Sequence, residues 1–475
     1  MRSQRLFLVM TEHGSGQTAL MTGPFPAVGG RTGRLDAVTL LTFYLFLLMA
    51  IPTSLVVGSF GASGRPAALF GVVLLCWYLA ARQHPALGLD SGRQPVRVAA
   101  VVFCCAIVAA YVSANRVSMP ALQQSGADRG LIAVFGWLGV LLLAADGIDR
   151  ADRLRILARR IALGATAMSV LGIVEFITGL NLSSYVSIPG LSVHTQLTDL
   201  MSRDGLVRVT ATTAQPLEFT AVLAMSLPLA IHQARFAAPA LRRRRWLQVA
   251  VIAGTMPLTL SRSAIFGLAA ICIVLLPTWP KRDRRRAYLV LLAGLVTVWL
   301  VKPSLLNVFG GLFSKLGTDA SSTSRTGAFA AAGPYIAHHP WLGQGFETFF
   351  PQIYFFIDDQ YLTSLVETGV IGLLALVVLF VTGWRTARRA RMTAADASAR
   401  DLAQCLAASV AAAVVSFATF DALSFSIASG LCFLLLGCAG AACRLARAQP
   451  QSAGPGWDRA AAPGRLSAAL ARGAR

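Results

Sequence analysis

Long apolar runs recur along this chain, and short clusters of arginine and lysine stand in every second gap between them. Such a chain has few places to put its hydrophobic surface other than a lipid bilayer, whose hydrocarbon core a helix crosses in about 20 residues. Composition agrees: 55% of the 475 residues are apolar, 13% are charged and the mean hydropathy is +0.63, far above globular norms. The expected fold is an all-α polytopic membrane protein.

The apolar runs cover 35–60, 67–81, 98–114, 131–145, 161–180, 216–234, 246–260, 263–279, 287–301, 361–383, 402–420 and 425–443, which predicts about 12 transmembrane helices within a transmembrane domain spanning 35–443. An even number of spans puts both termini on one side. Of the 42 lysines and arginines, 33 then fall on the side of the termini and nine on the other, so both termini are expected in the cytoplasm. Residues 1–34 read as a cytoplasmic tail; their one apolar run, Leu6 to Met10, is too short for a signal-peptide core. Residues 444–475, rich in Ala, Gly, Pro and Arg without periodicity, read as a disordered cytoplasmic tail. The net charge of +21 does not imply nucleic acid, because the basic residues sit between spans, where cytoplasmic loops carry them. All eight cysteines lie in or at the ends of apolar runs with no CxxC pair, so they read as small hydrophobes, not as disulfides or metal ligands.

This topology leaves one long outward loop, 302–360, in which Gly333-Pro334 predicts a break between two short helices. It also puts Glu175, Glu218, Glu367 and Asp421 in the outer half of the molecule. A charge at the bilayer centre costs roughly 2.5–3.5 kcal/mol on insertion scales, so such carboxylates are expected to line a hydrated cavity open to the outer leaflet; snorkelling at the interface is the simpler alternative. Arg262 sits in an apolar stretch, 246–279, too long for one span, so the chain should reverse near 257–263 and leave Arg262 at the outer turn. A guanidinium there has the rigid fork that suits a phosphate or diphosphate; the bland reading is an arginine touching lipid head groups.

Three pieces of sequence together carry a resemblance. They are Arg208 with Gln215-Pro216 and Leu227-Pro228-Leu229; then Ser261-Arg262-Ser263-Ala264; then Ser324-Arg325, His339-Pro340-Trp341-Leu342-Gly343-Gln344-Gly345, Asp358-Asp359-Gln360-Tyr361-Leu362 and Glu367-Thr368-Gly369-Val370-Ile371-Gly372. In order, spacing and long outer loop the region of roughly 200–385 resembles the O-antigen ligase and polymerase superfamily. The resemblance implies a multi-pass enzyme of the cytoplasmic membrane with its active site facing outward. Such an enzyme moves polyprenyl-diphosphate-linked saccharide in polysaccharide biosynthesis, with membrane lipids and other polysaccharide-assembly proteins as partners. Asp358-Asp359 stands where ligases of the family have a His-Asn pair, which looks more like the polymerases of exported polysaccharides.

On this reading Arg262, Arg325 and Arg208 bind the diphosphate, and Asp358, then Asp359 and His339, are candidates for the base that accepts the proton of the attacking hydroxyl. An aspartate just before a span is also a common helix N-cap. The His338-His339 pair is not expected to bind metal, since adjacent side chains diverge and no third ligand is evident, and no cofactor is required. The competing class is a polysaccharide or lipid transporter or flippase. Those tend to carry repeated halves and polar sites at the midplane, neither of which is seen in this sequence.

Overall fold

The structure is a computed structural model that describes residues 36–83, 92–116, 118–194, 202–203, 206–301 and 320–448, the side chains of 62, 295, 297–301 and 320–326 excepted. Thirteen helices lie within these residues: α1 (Ala37–Ala50), α2 (Pro66–Gln83), α3 (Pro95–Ala114), α4 (Ala121–Gly147), α5 (Ala151–Thr178), α6 (Pro216–Arg235), α7 (Pro239–Thr255), α8 (Arg262–Leu275), α9 (Lys281–Val301), α10 (Ala320–His338), α11 (Gln360–Thr393), α12 (Ala397–Phe417) and α13 (Ser426–Ala448). Eight of them, α2 to α6 and α11 to α13, are long and apolar enough to cross a bilayer, and α1 and α8 are shorter apolar helices. The fold is that of a helical membrane protein. Helices α2, α3, α6 and α7 each open on a proline, whose fixed φ suits the first turn and whose missing N–H is not needed there.

Three details depart from the sequence expectation. The first apolar run is helical only to Ala50, ahead of Pro52; its remainder forms β1 (Leu55–Val57) and a short 3-10 turn. Strand β1 pairs antiparallel with β2 (Leu191–Val193), Leu55 opposite Val193, and so ties the α1–α2 connection to the α5–α6 connection. A second ribbon joins β3 (Ser202–Arg203) to β4 (Leu206–Val207), and these two ribbons are the strands among the described residues of an otherwise helical molecule. Finally, α10 runs through Pro334 without a break. Its Ala330, one turn earlier, is exposed, so water can take the carbonyl that a proline leaves unpaired. Of the loop proposed for 302–360, residues 302–319 lie outside the described residues, as do 1–35 and 449–475 of the two tails; 444–448 complete the last turn of α13.

Helix α13 is the centre of the bundle, buried along almost its whole length against α4, α11, α12, α6 and α3. Its sequence explains the position. Lipid chains are as apolar as leucine, so helices associate where small residues let backbones approach, and α13 supplies Gly430, Gly437 and Gly440 among its leucines. A side chain at Gly437 would meet the Leu141 carbonyl of α4.

The helix ends gather into two polar layers. One holds the arginine clusters. There Asp146 of α4 accepts from Tyr78 Oη (2.7 Å) and pairs with Arg97 (2.7 Å), Asp401 of α12 pairs with Arg235 and His232, and Arg444 binds the Ala145 and Ile148 carbonyls. The other holds α10 and the segment 339–359.

Candidate functional site

The segment between α10 and α11 is fastened to α11 by its backbone. Helix α11 is interrupted at Gly369, which has φ +65°, ψ −169°. The helical hydrogen bonds lost at that kink are replaced from the segment: the amides of Gln344 and Gly345 donate to the carbonyls of Val366 (3.1 Å) and Glu367 (2.8 Å), and the amides of Val370 and Ile371 donate to those of Pro340 (2.9 Å) and Trp341 (3.3 Å). Glycine is needed on both sides of this joint. Gly343 and Gly369 have positive φ, and a Cβ on Gly343 would collide with the Glu367 carbonyl, as one on Gly369 would with that of Trp341. The two glycine motifs singled out in the sequence are therefore two halves of one backbone joint.

Beyond the joint the segment lies on the first turns of α4. Gln123 donates to the Thr348 carbonyl (3.2 Å) and to Tyr354 Oη (2.8 Å), Gly126 and Gly130 leave room for Phe346, Glu347 and Phe350, and Arg129 pairs with Glu347 at 2.7 Å. Rings of Tyr335, Phe349, Tyr354 and Phe355 pack into a small separate core under α10, with Phe349 and Tyr354 stacked at 4.3 Å. Glu347 itself has φ +60°, a left-handed conformation that costs a side-chain-bearing residue roughly 1–2 kcal/mol. That turn aims the amides of Glu347 and Phe349 at the buried carboxylate of Glu367. Asp421, in the turn before α13, accepts from Ser424 Oγ (2.6 Å), and the Ser424 carbonyl in turn accepts from Arg65. Burial, with the nearby charges of Glu347 and Asp358, raises the Asp421 carboxyl to about 7. A cavity of about 30 Å³, the size of one water, is enclosed by Arg65, Arg129, Glu347, Tyr44 and Trp137.

The residues singled out in the sequence fall into three groups. Glu175 and Glu218 are fully buried and bound by backbone amides: Glu175 by those of Thr210 (3.1 Å) and Ala211 (2.8 Å), Glu218 by those of Ala214 (2.9 Å), Ile427 (2.9 Å) and Ala428 (3.3 Å). Glu218 thus caps α13 from another helix, where the N-terminal dipole favours an anion. With Glu367 they are three of the four carboxylates that the sequence places in the outer half, and each of the three is anchored by amides.

Arg262 and Arg208 meet at one turn. The chain reverses through a 3-10 turn, Met256–Thr259, and through Leu260 at φ +49°; Ser261 then caps α8, whose first residue is Arg262, 9% exposed. Arg208 Nε donates to the Thr259 carbonyl of the same turn (3.0 Å). The backbone of Arg325 lies in α10, and its side chain lies outside the described residues.

Asp359 is the N-cap of α11, accepting from the amides of Tyr361 (2.8 Å) and Leu362 (3.2 Å). Asp358, half-buried, precedes it and stands near Asp421. His339 is exposed at the end of α10, its carbonyl accepting from Gly343, while the ring of His338 turns back to the Pro334 carbonyl (2.7 Å). At the opposite layer His232, Asp401 and Cys405 bring three donor atoms within 4.8 Å of one another, spacing that would admit a metal ion, although Asp401 is also paired with Arg235.

Sequence reading missed Arg65, Gln123, Arg129 and Glu347. A signal existed for α4: Gln123, Gly126, Arg129 and Gly130 recur at helical spacing on one face of an otherwise apolar helix. What that face binds lies more than 200 residues away in the chain.

No curated protein matches the chain. Residues 247–377, which run from α7 through α8 and the joint to the middle of α11, match the O-antigen ligase family model. That match supports assigning this segment to the O-antigen ligase and polymerase superfamily.

Proposed function

We propose that the protein is a glycosyltransferase that polymerises polyprenyl-diphosphate-linked saccharide at the outer face of the cytoplasmic membrane, with both termini in the cytoplasm and the loop end facing outward. The observation that carries this reading is an apolar groove of about 740 Å³ between α8, α11 and α12. It is lined by Phe266, one turn beyond Arg262, and by Tyr361, two residues beyond Asp359, and continues along Val377, Phe380 and Trp384. A groove with a diphosphate-binding arginine on the helix at one edge and a carboxylate on the helix at the other fits a lipid tail whose charged head must be held where chemistry occurs. The 33-to-nine bias of basic residues supports the orientation.

In the reaction the oxygen of the acceptor hydroxyl attacks the anomeric carbon of the lipid-linked sugar. The bond from that carbon to the diphosphate breaks, and its electron pair leaves with the carrier. Arg262, Arg208 and Arg325 stabilise the departing charge, and Asp358 accepts the hydroxyl proton. Asp358 is favoured over Asp359, whose carboxylate is committed to the first turn of α11. Exposed His339 is the weaker candidate. The Asp358-Asp359 pair in place of His-Asn supports polymerase over ligase.

The test is chain formation from purified protein and lipid-diphosphate-linked oligosaccharide. Lysine at 262 keeps the charge and loses the fork, so Arg262→Lys should lower the rate about ten- to 150-fold, the worth of one charge-assisted hydrogen bond of roughly 1.5–3 kcal/mol made in the transition state. Asp358→Asn should be at least as damaging. Near-wild-type turnover in both variants would remove this site from the mechanism.

A further inference from the structure

The arginine-rich layer contains a group that the catalytic reading does not use. Helix α7 carries four successive arginines, 242–245, before its apolar stretch, and the last of them, Arg245, is 7% exposed. Its Nη1 donates to Gln248 Oε1 on the next turn (2.9 Å). Around it stand Arg244 and, from α5, Arg159, both exposed and both close enough to repel its charge. Among the described residues no carboxylate pairs with any of the three. Elsewhere in the layer Asp146, Asp401, Asp36 and Asp152 each hold at least one arginine. A neutral amide does not balance a buried cation, and two like charges beside it make the arrangement costly unless an anion completes it.

We propose that Arg245, Arg244 and Arg159 form a binding site for a phosphate group, filled in the membrane by the head group of an anionic phospholipid. Guanidinium forks match phosphate oxygens two at a time, and three of them, from two helices, stand together here. The depth fits a lipid. Trp246 follows at 40% exposure, and tryptophan at the boundary between an arginine cluster and an apolar stretch marks head-group level. Basic pockets between membrane helices bind acidic lipid head groups by this chemistry. A free phosphate ion offers the same oxygens, so the experiment separates the two sources.

Thermal unfolding of the purified full chain in uncharged detergent is followed with added phosphatidylglycerol, with phosphatidylcholine and with inorganic phosphate at matched concentration. A ligand that binds only the folded state raises the melting temperature. Phosphatidylglycerol should raise it more than phosphatidylcholine, and half of the excess should need about tenfold more lipid in Arg159→Gln, one charge-assisted contact being lost. Inorganic phosphate reproducing the whole excess would assign the seat to a soluble anion and overturn the lipid. Equal shifts from the two lipids in the wild-type protein, or an excess that survives in Arg159→Gln and Arg244→Gln alike, would overturn the site. Both of those side chains are exposed, so the test stands even where Arg245→Gln fails to fold.

Discussion

The two polar layers handle buried carboxylates differently. At the arginine-rich end Asp146 and Asp401 are neutralised by side chains, each with cations and hydrogen-bond donors from other helices. At the loop end Glu175, Glu218 and Glu367 are held by backbone amides, and Glu347 is the carboxylate that has an arginine. An amide fixes a carboxylate in place without cancelling its charge. The carboxylates of the first layer are thus closed by cations and clamp helices, whereas most of those in the second are open in the sense that backbone, not a side-chain cation, holds them.

The largest effect should come from breaking the closed layer. Replacing Arg82 and Arg97 together by alanine removes both cations from the fully buried Asp146 side chain and should cost about 3–5 kcal/mol of stability, read by thermal unfolding in detergent. Adding Asp146→Asn should recover most of it, because the uncompensated charge goes with the aspartate. At the open layer, Glu218→Gln removes charge-assisted bonds from the amides that start α13 and should cost roughly 1.5–3 kcal/mol. There a second side-chain change cannot rescue, since the partners are backbone; a rescuing partner would erase the contrast between the layers.

The last effect is one of pH. Asp421 binds its proton more tightly in the folded protein, near 7, than in an unfolded chain, near 3.8. Its contribution to stability is therefore complete below about pH 4 and is lost as pH rises towards 7. Melting temperature followed from pH 4 to 8 should show that decline in the wild-type protein and a flatter profile in Asp421→Asn. A decline of equal slope in both would assign it to other groups.

The helical bundle was largely legible, because each apolar run must hide its backbone in lipid and arginine clusters mark where runs stop. So was the reversal before Arg262, where 246–279 is too long for one crossing, and the capping alternative for Asp359, which depends only on the next three residues. Local chemistry reads well from local sequence. What could not be read was tertiary exchange of backbone bonds. Gly369 looked like one residue of a motif and is half of a joint whose other half is Gly343; Glu218 looked like a cavity wall and is seated as the cap of a helix 209 residues later. Pro334 failed as a helix breaker because the turn it disturbs faces out of the protein.

The joint at Gly343 and Gly369 makes the chain from Pro340 to Ile371 a closed ring, knotted at its base by four backbone bonds. Glu347, Asp358 and Asp359 all belong to that ring, which rests on α4 and on Tyr335 of α10. Upstream of the ring, α10 packs on it through Tyr335, against Phe349, Tyr354 and Phe355. A ring closed in this way fixes how far along the chain each of those carboxylates can stand from the joint.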